Sequence, residues 1–264
     1  MKLRIAVCLA ALAFAACSPA PDTTAEAPAG GVPSAKRVAL PDCATVEAKD
    51  EGDLGWKHPD CRLVFPEPSG LAIEARYAPA EDDSTEVTVQ VVQTGDKTIQ
   101  EFKERMGNTF NGPELVDFDK DGKLDIKLPL ETGNVNTSWA LWRQDADGKF
   151  VRIDSDDLSG VELTKTDSGY IATQGRSSAN EYYVSFYTLA ANKLTPIATV
   201  SVVAQGEPDK VTRVDCVVET DDTSPLGEGL TAKTAEAKFC PEPSVQSLIT
   251  DMMPTPANKA DHKQ

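Results

Sequence analysis

In Leu71-Ala72-Ile73-Glu74-Ala75-Arg76-Tyr77, the residues Leu71, Ile73, Ala75 and Tyr77 fall at every second position. That two-residue period places them on one face of an extended strand, with Glu74 and Arg76 on the other. Residues 86–92 follow as a second run, rich in β-branched side chains. Similar runs occur at 138–142, 150–153, 169–173, 182–189, 194–203 and 211–218. Turn-forming pairs separate them: Thr94-Gly95-Asp96, Asp121-Gly122, Asp147-Gly148 and Ala191-Asn192. Short strands at this spacing predict a mainly β fold, with antiparallel sheets in a propeller-like or sandwich arrangement. One or two short helices are expected. Residues 98–106 place Ile99, Phe102 and Met106 on one helical face, and residues 243–252 begin with a favourable early Pro243.

The N-terminus reads differently. Lys2 and Arg4 precede an uncharged apolar run over residues 5–16, too short to span a hydrocarbon core that needs roughly 20 apolar residues. This is the layout of a signal peptide. Its end, Phe14-Ala15-Ala16-Cys17, resembles the lipobox of bacterial lipoproteins, with Phe14 at the position usually held by Leu. The resemblance implies lipidation of Cys17; the alternative is an ordinary signal cleaved after Ala16. Ser18 stands where an Asp would favour retention at the inner membrane, so the expected location is the periplasmic side of the outer membrane. The resulting layout is a signal peptide over 1–16 and a lipidated, flexible tether over 17–40. A single β-rich domain over 41–253 and a frayed tail over 254–264 complete the chain.

Four cysteines fall within the domain, as two local pairs. Their placement favours Cys43–Cys61 and Cys216–Cys240 among the three possible pairings, as suits an oxidising compartment. A four-cysteine zinc site would need a CxxC-like spacing that these positions lack. The full chain carries a net charge of −16; without Lys2 and Arg4 it has 24 basic against 42 acidic residues, a net charge near −18. Such a surface disfavours nucleic acid and anionic lipid as partners and suits cations or a basic protein. Contact with the membrane is expected only through the lipid anchor, and the domain is expected to be a monomer.

One stretch carries metal chemistry. Asp117-Phe118-Asp119-Lys120-Asp121-Gly122-Lys123-Leu124-Asp125 has carboxylates at loop positions 1, 3, 5 and 9, with glycine at 6. A hard dication such as Ca²⁺ takes six to eight oxygens, and this spacing wraps several around one point. Gly122 allows the positive φ of a sharp turn, and Lys123 offers its backbone carbonyl. The loop is not an EF-hand: position 12 is Leu128, and the flanks 114–116 and 126–128 read as strands. The expected ligands are therefore Asp117, Asp119, Asp121, Asp125 and the Lys123 carbonyl, holding a structural Ca²⁺. The competing reading is an acidic hairpin turn, of which Asp145-Ala146-Asp147-Gly148-Lys149 is an example nearby.

Downstream come Asn134-Val135-Asn136-Thr137-Ser138-Trp139-Ala140-Leu141-Trp142, then Asp147-Gly148-Lys149-Phe150, Glu181-Tyr182-Tyr183 and Asn192-Lys193-Leu194. Over roughly residues 85–203 this succession resembles the calcium-binding, propeller-like periplasmic lipoproteins that act as immunity proteins against type IV secretion effectors. Those proteins are related in shape to periplasmic lysozyme inhibitors. The resemblance implies inhibition of a peptidoglycan hydrolase by a loop entering its carboxylate-lined cleft. Lysozyme inhibitors of that shape carry an SGxxY signature; here Ser168-Gly169 is followed by Ala172 at the tyrosine position. The best local candidate for a partner loop is Gly175, Arg176, Ser177, Ser178, Ala179 and Asn180, small and polar with one cation.

No enzyme is expected. The chain has two histidines, His262 in the tail and His58 between the first cysteine pair, where a surface position is expected. It contains no HExxH, nucleophile elbow, P-loop or dinucleotide fingerprint. Two readings remain open: an inhibitor of a basic lysozyme-type hydrolase, and a calcium-stiffened structural lipoprotein of the envelope without inhibitory activity.

Overall fold

The computed structural model describes residues 39–253, except 51, 53–54, 82–83, 156–157, 208–209 and 221–223. Cys17, the tether to residue 38 and the tail 254–264 lie outside the described residues. After a two-stranded ladder of β1 (Lys49–Asp50) and β2 (Trp56–Lys57), three antiparallel sheets follow in chain order. The first contains β3 (Cys61–Val64), β4 (Leu71–Pro79), β5 (Thr85–Gln93) and β6 (Lys97–Met106). The second contains β7 (Glu114–Val116), β8 (Asp125–Thr132), β9 (Thr137–Gln144) and β10 (Phe150–Arg152), with β11 (Ser159–Gly160) pairing onto β9. The third contains β12 (Glu162–Lys165), β13 (Ile171–Ser178), β14 (Glu181–Ala190), β15 (Lys193–Glu207) and β16 (Lys210–Val218). Helices α1 (Ala232–Phe239) and α2 (Pro243–Met252) end the fold.

Each sheet is a meander of neighbouring strands, so only short turns are needed between them. The turns use the expected chemistry: Gly95, Asp96, Gly122, Gly148, Ala191 and Asn192 all have positive φ. Alternation then lets the middle sheet bury both faces. Ile126, Leu128, Ala140 and Phe150 face the first sheet and pack with Ile73, Val89, Phe102 and Met106. Trp139 and Leu141 point the other way and pack with Ile171, Tyr187 and Leu194 of the third sheet. The far face of the third sheet, with Val184, Phe186, Val200 and Val202, is covered by Ala235, Phe239, Val245 and Leu248 of the helices. The result is a sandwich-like succession of layers. Both predicted disulfides form: Cys43 bonds Cys61 and Cys216 bonds Cys240. Among the described residues, no helix is long and apolar enough to cross a membrane.

Two expectations need correction. Residues 98–106 are not a helix but most of strand β6, paired along β5. Phe102 and Met106 are four residues apart, a spacing that puts both on one face of a helix or of a strand. The positions between decide it. Gln100 exchanges hydrogen bonds with the Phe150 backbone, donating from Nε2 at 2.6 Å and accepting at Oε1 at 2.9 Å. Glu104 accepts from Trp142 Nε1 at 3.0 Å and pairs with Arg152 at 2.6 Å. Polar side chains at 100 and 104 therefore share the inner face with 102 and 106, and Ile99 is left 46% exposed. The helical reading treated these inward polar residues as an outer face. His58 is also not at the surface. It is buried against Tyr77, with ring centroids 4.8 Å apart, and its Nδ1 lies 2.8 Å from the Pro59 carbonyl.

Candidate functional site

The acidic stretch 117–125 is the turn of the β7–β8 hairpin, closed by the pairing of Val116 with Asp125. The flanks are strands, as the sequence indicates. Asp117 curls the loop by accepting from two backbone amides, Asp121 N at 2.9 Å to Oδ1 and Gly122 N at 3.0 Å to Oδ2. Lys120 (φ 52°) and Gly122 (φ 86°) take the left-handed conformations that this curl requires. Phe118 faces inward and packs with Ile171, Tyr187 and Leu194, fastening the loop to the third sheet.

Asp117, Asp119 and Asp125 each bring a carboxylate oxygen within 4.8 Å of the others. Oxygens sharing one Ca²⁺ at about 2.3–2.6 Å are separated by at most about 5 Å, so the trio fits a common ion. Asp119 is 3% and Asp125 0% exposed. Asp125 Oδ1 accepts from Gln144 N at 2.8 Å, but its Oδ2 is buried with no hydrogen-bond partner. Burial pushes the Asp125 carboxyl up to about 7, helped by the nearby charges of Asp119 and Asp121 and opposed by the backbone amides of Gln144 and Phe118. A dication would satisfy the orphaned oxygen and offset the repulsion together.

The other two predicted ligands sit differently. Asp121 directs Oδ1 to Lys123 N at 2.9 Å and Oδ2 to Arg143 Nη2 at 3.2 Å, apart from the converging trio. Lys123 sends its ammonium to the Asp145 carbonyl at 2.9 Å, tying the loop to the β9–β10 turn. Three residues around the site carry no sequence signal. Arg143 Nε lies 2.6 Å from Asp119 Oδ2, Gln144 holds Asp125, and Lys165 of β12 donates to the Asp119 carbonyl. They lie 19 to 46 residues along the chain from the aspartates they contact, and only sheet pairing and layering bring them to the loop.

The predicted partner loop proves to be a tight hairpin. Gly175, Arg176, Ser177 and Ser178 end β13, and Ala179 and Asn180 form the two-residue turn to β14. At Gly175 a Cβ would meet the Tyr183 ring at 2.1 Å, so only glycine allows this ring to lie across the strand. Asn136, in the β8–β9 turn, binds Arg176 with both ends of its amide: Oδ1 accepts from Arg176 N at 2.9 Å and Nδ2 donates to Arg176 O at 3.0 Å. The Arg176 guanidinium turns back on its own hairpin, donating to the Ser178 carbonyl at 2.8 Å and lying 5.3 Å from the Tyr182 ring centre. Residues 133–136 and 176–179 thereby line an open cleft of about 350 Å³, with Val135 46% exposed on its wall. Ala172, at the position of the signature tyrosine, is buried beneath the helices.

No protein-family model matches the chain, and no curated protein sequence does. Among solved structures, a Xanthomonas type IV secretion system related protein is similar over 70% of this chain and 98% of its own. The two share 12% identity with a TM-score of 0.39, a likeness too loose to carry an argument about function.

Proposed function

We propose that this chain is an envelope lipoprotein, anchored through Cys17, whose calcium-stabilised β domain binds and inhibits a basic lysozyme-type hydrolase. The reading of the metal rests on the three carboxylates around the unpartnered, buried Asp125 Oδ2. Asp117, Asp119 and Asp125 would hold the ion, with Asp121 and the Lys123 carbonyl as further oxygen donors of the same loop. Its role is structural, since every ligand lies in one hairpin turn.

The observation that carries the partner reading is the Asn136 clamp on Arg176. It fixes the 177–180 turn relative to the neighbouring 133–136 turn, so the small polar tip is pre-ordered and little entropy is lost on docking. The acidic chain would steer a basic hydrolase toward it, at a rate that falls with salt. The self-bonded guanidinium of Arg176 argues for a hairpin acting by shape and hydroxyl donors, not by inserting a cation. The test is capture of lysozyme-type muramidases by the protein, in calcium and in chelator, together with their cell-wall lysis rates. Calcium-dependent capture with inhibition supports the reading. Absence of binding to any basic muramidase would favour the structural lipoprotein.

A further inference from the structure

Arg143 stands outside the predicted ligand set, yet it forms ion pairs with two of its members. It lies at the end of β9, beside Gln144, whose N–H holds Asp125. Its guanidinium spans two carboxylates, Nε at 2.6 Å from Asp119 Oδ2 and Nη2 at 3.2 Å from Asp121 Oδ2. Asp119 is nearly enclosed, with 4% of its side chain exposed, while Arg143 keeps 30%. Asp119 is thus claimed twice: by this fork, and by the trio it forms with Asp117 and Asp125.

We infer that Arg143 is a built-in competitor of the cation, a fixed positive charge that neutralises Asp119 and Asp121 and so lowers the calcium affinity of the loop. This rests on the calcium reading above. Two consequences follow from charge alone. Without the arginine, the carboxylates repel more strongly and the protein in chelator is less stable. The same loss leaves a more negative site, which binds the dication more tightly. A supporting strut would behave otherwise, since its removal would loosen the loop and weaken binding. Because Arg143 is partly exposed, the effect should shrink at high salt.

The experiment is calorimetric titration of CaCl₂ into metal-stripped protein, wild type against Arg143→Gln and Arg143→Lys. Arg143→Gln is expected to bind calcium roughly tenfold more tightly at low salt while melting at a lower temperature in chelator. Arg143→Lys keeps the charge but not the fork that spans two carboxylates, so its affinity should fall between those of wild type and Arg143→Gln. Equal or weaker binding by Arg143→Gln overturns the inference. No calcium binding by wild type overturns the metal reading itself, so the two failures are distinct. Should Arg143→Gln fail to fold, the wild-type Arg143 Nε–H signal in NMR decides. Added calcium should speed its exchange with water as the dication draws Asp119 away; unchanged exchange overturns the inference.

Discussion

The chain contains the pattern Asp-x-Asp-Gly-Lys twice, at 119–123 and at 145–149. Both copies are hairpin turns with a left-handed glycine, Gly122 at φ 86° and Gly148 at φ 77°. In the second, Asp145 Oδ1 accepts from Asp147 N at 2.9 Å and Lys149 N at 2.8 Å, and among the described residues no cluster of carboxylates forms around it. In the first, Asp117 accepts from Asp121 N and Gly122 N, Asp121 accepts from Lys123 N, and two more carboxylates, Asp119 and Asp125, are carried into a buried position beside Asp117. The turn pattern alone does not make a metal centre. Under the calcium reading proposed above, the flanking residues would complete the site, Asp117 before and Asp125 after, together with the layers that bury Asp119 and Asp125.

The comparison breaks most sharply at Asp125. Asp125→Asn should abolish calcium binding and, with it, the gain in melting temperature that calcium gives wild type. At calcium about 100-fold above the dissociation constant that gain corresponds to about 2.7 kcal/mol, or roughly 5–10 °C for a domain of this size. In chelator the same substitution should not destabilise, since it removes a buried carboxylate with an unpartnered oxygen. The pH dependence has a definite sign. Burial pushes the folded Asp125 carboxyl up to about 7, above its ordinary value, so the metal-free folded state retains a proton that the unfolded chain releases. Wild type in chelator should therefore lose stability relative to Asp125→Asn as pH rises from about 4 to about 7, with no further change above. A difference that stays constant across that range would contradict the burial of the site.

Asp121→Ala should have a smaller effect, because Asp121 lies apart from the converging trio. It should weaken calcium binding by about tenfold and leave some calcium-dependent stabilisation in thermal melts. The two glycines give a matched pair. Gly122→Ala and Gly148→Ala place a Cβ in open space at positive φ, so each should cost about 1–2 kcal/mol in chelator. In calcium only Gly122→Ala should lose additional stability. The smallest effect is expected at Asp147→Ala, on an exposed turn residue: within about 0.5 kcal/mol in chemical denaturation, with calcium affinity unchanged.

Much of the fold is legible in the sequence, because alternating strands and glycine turns are local signals. The β7–β8 placement of the acidic loop, both disulfides and helix α2 follow from residues close together in the chain. The strand at 97–106 is not legible, since Gln100 and Glu104 belong inside only because the backbone of Phe150 and the side chains of Trp142 and Arg152 lie ready to receive them. Helix α1 escapes notice for a similar reason: its cap is the reciprocal pair Thr231 and Thr234, without the acidic residue that usually marks a helix start. At the site, Asp117, Asp119 and Asp125 are read from spacing, whereas Arg143 and Lys165 arrive through tertiary packing and have no local signature.

The measurement closest to the central claim is titration of calcium into the metal-stripped protein, with Asp125→Asn in parallel. One bound Ca²⁺ per chain in wild type and none in Asp125→Asn is the predicted result. No binding in wild type, or equal binding in both, would contradict the assignment of 117–125 as a calcium centre.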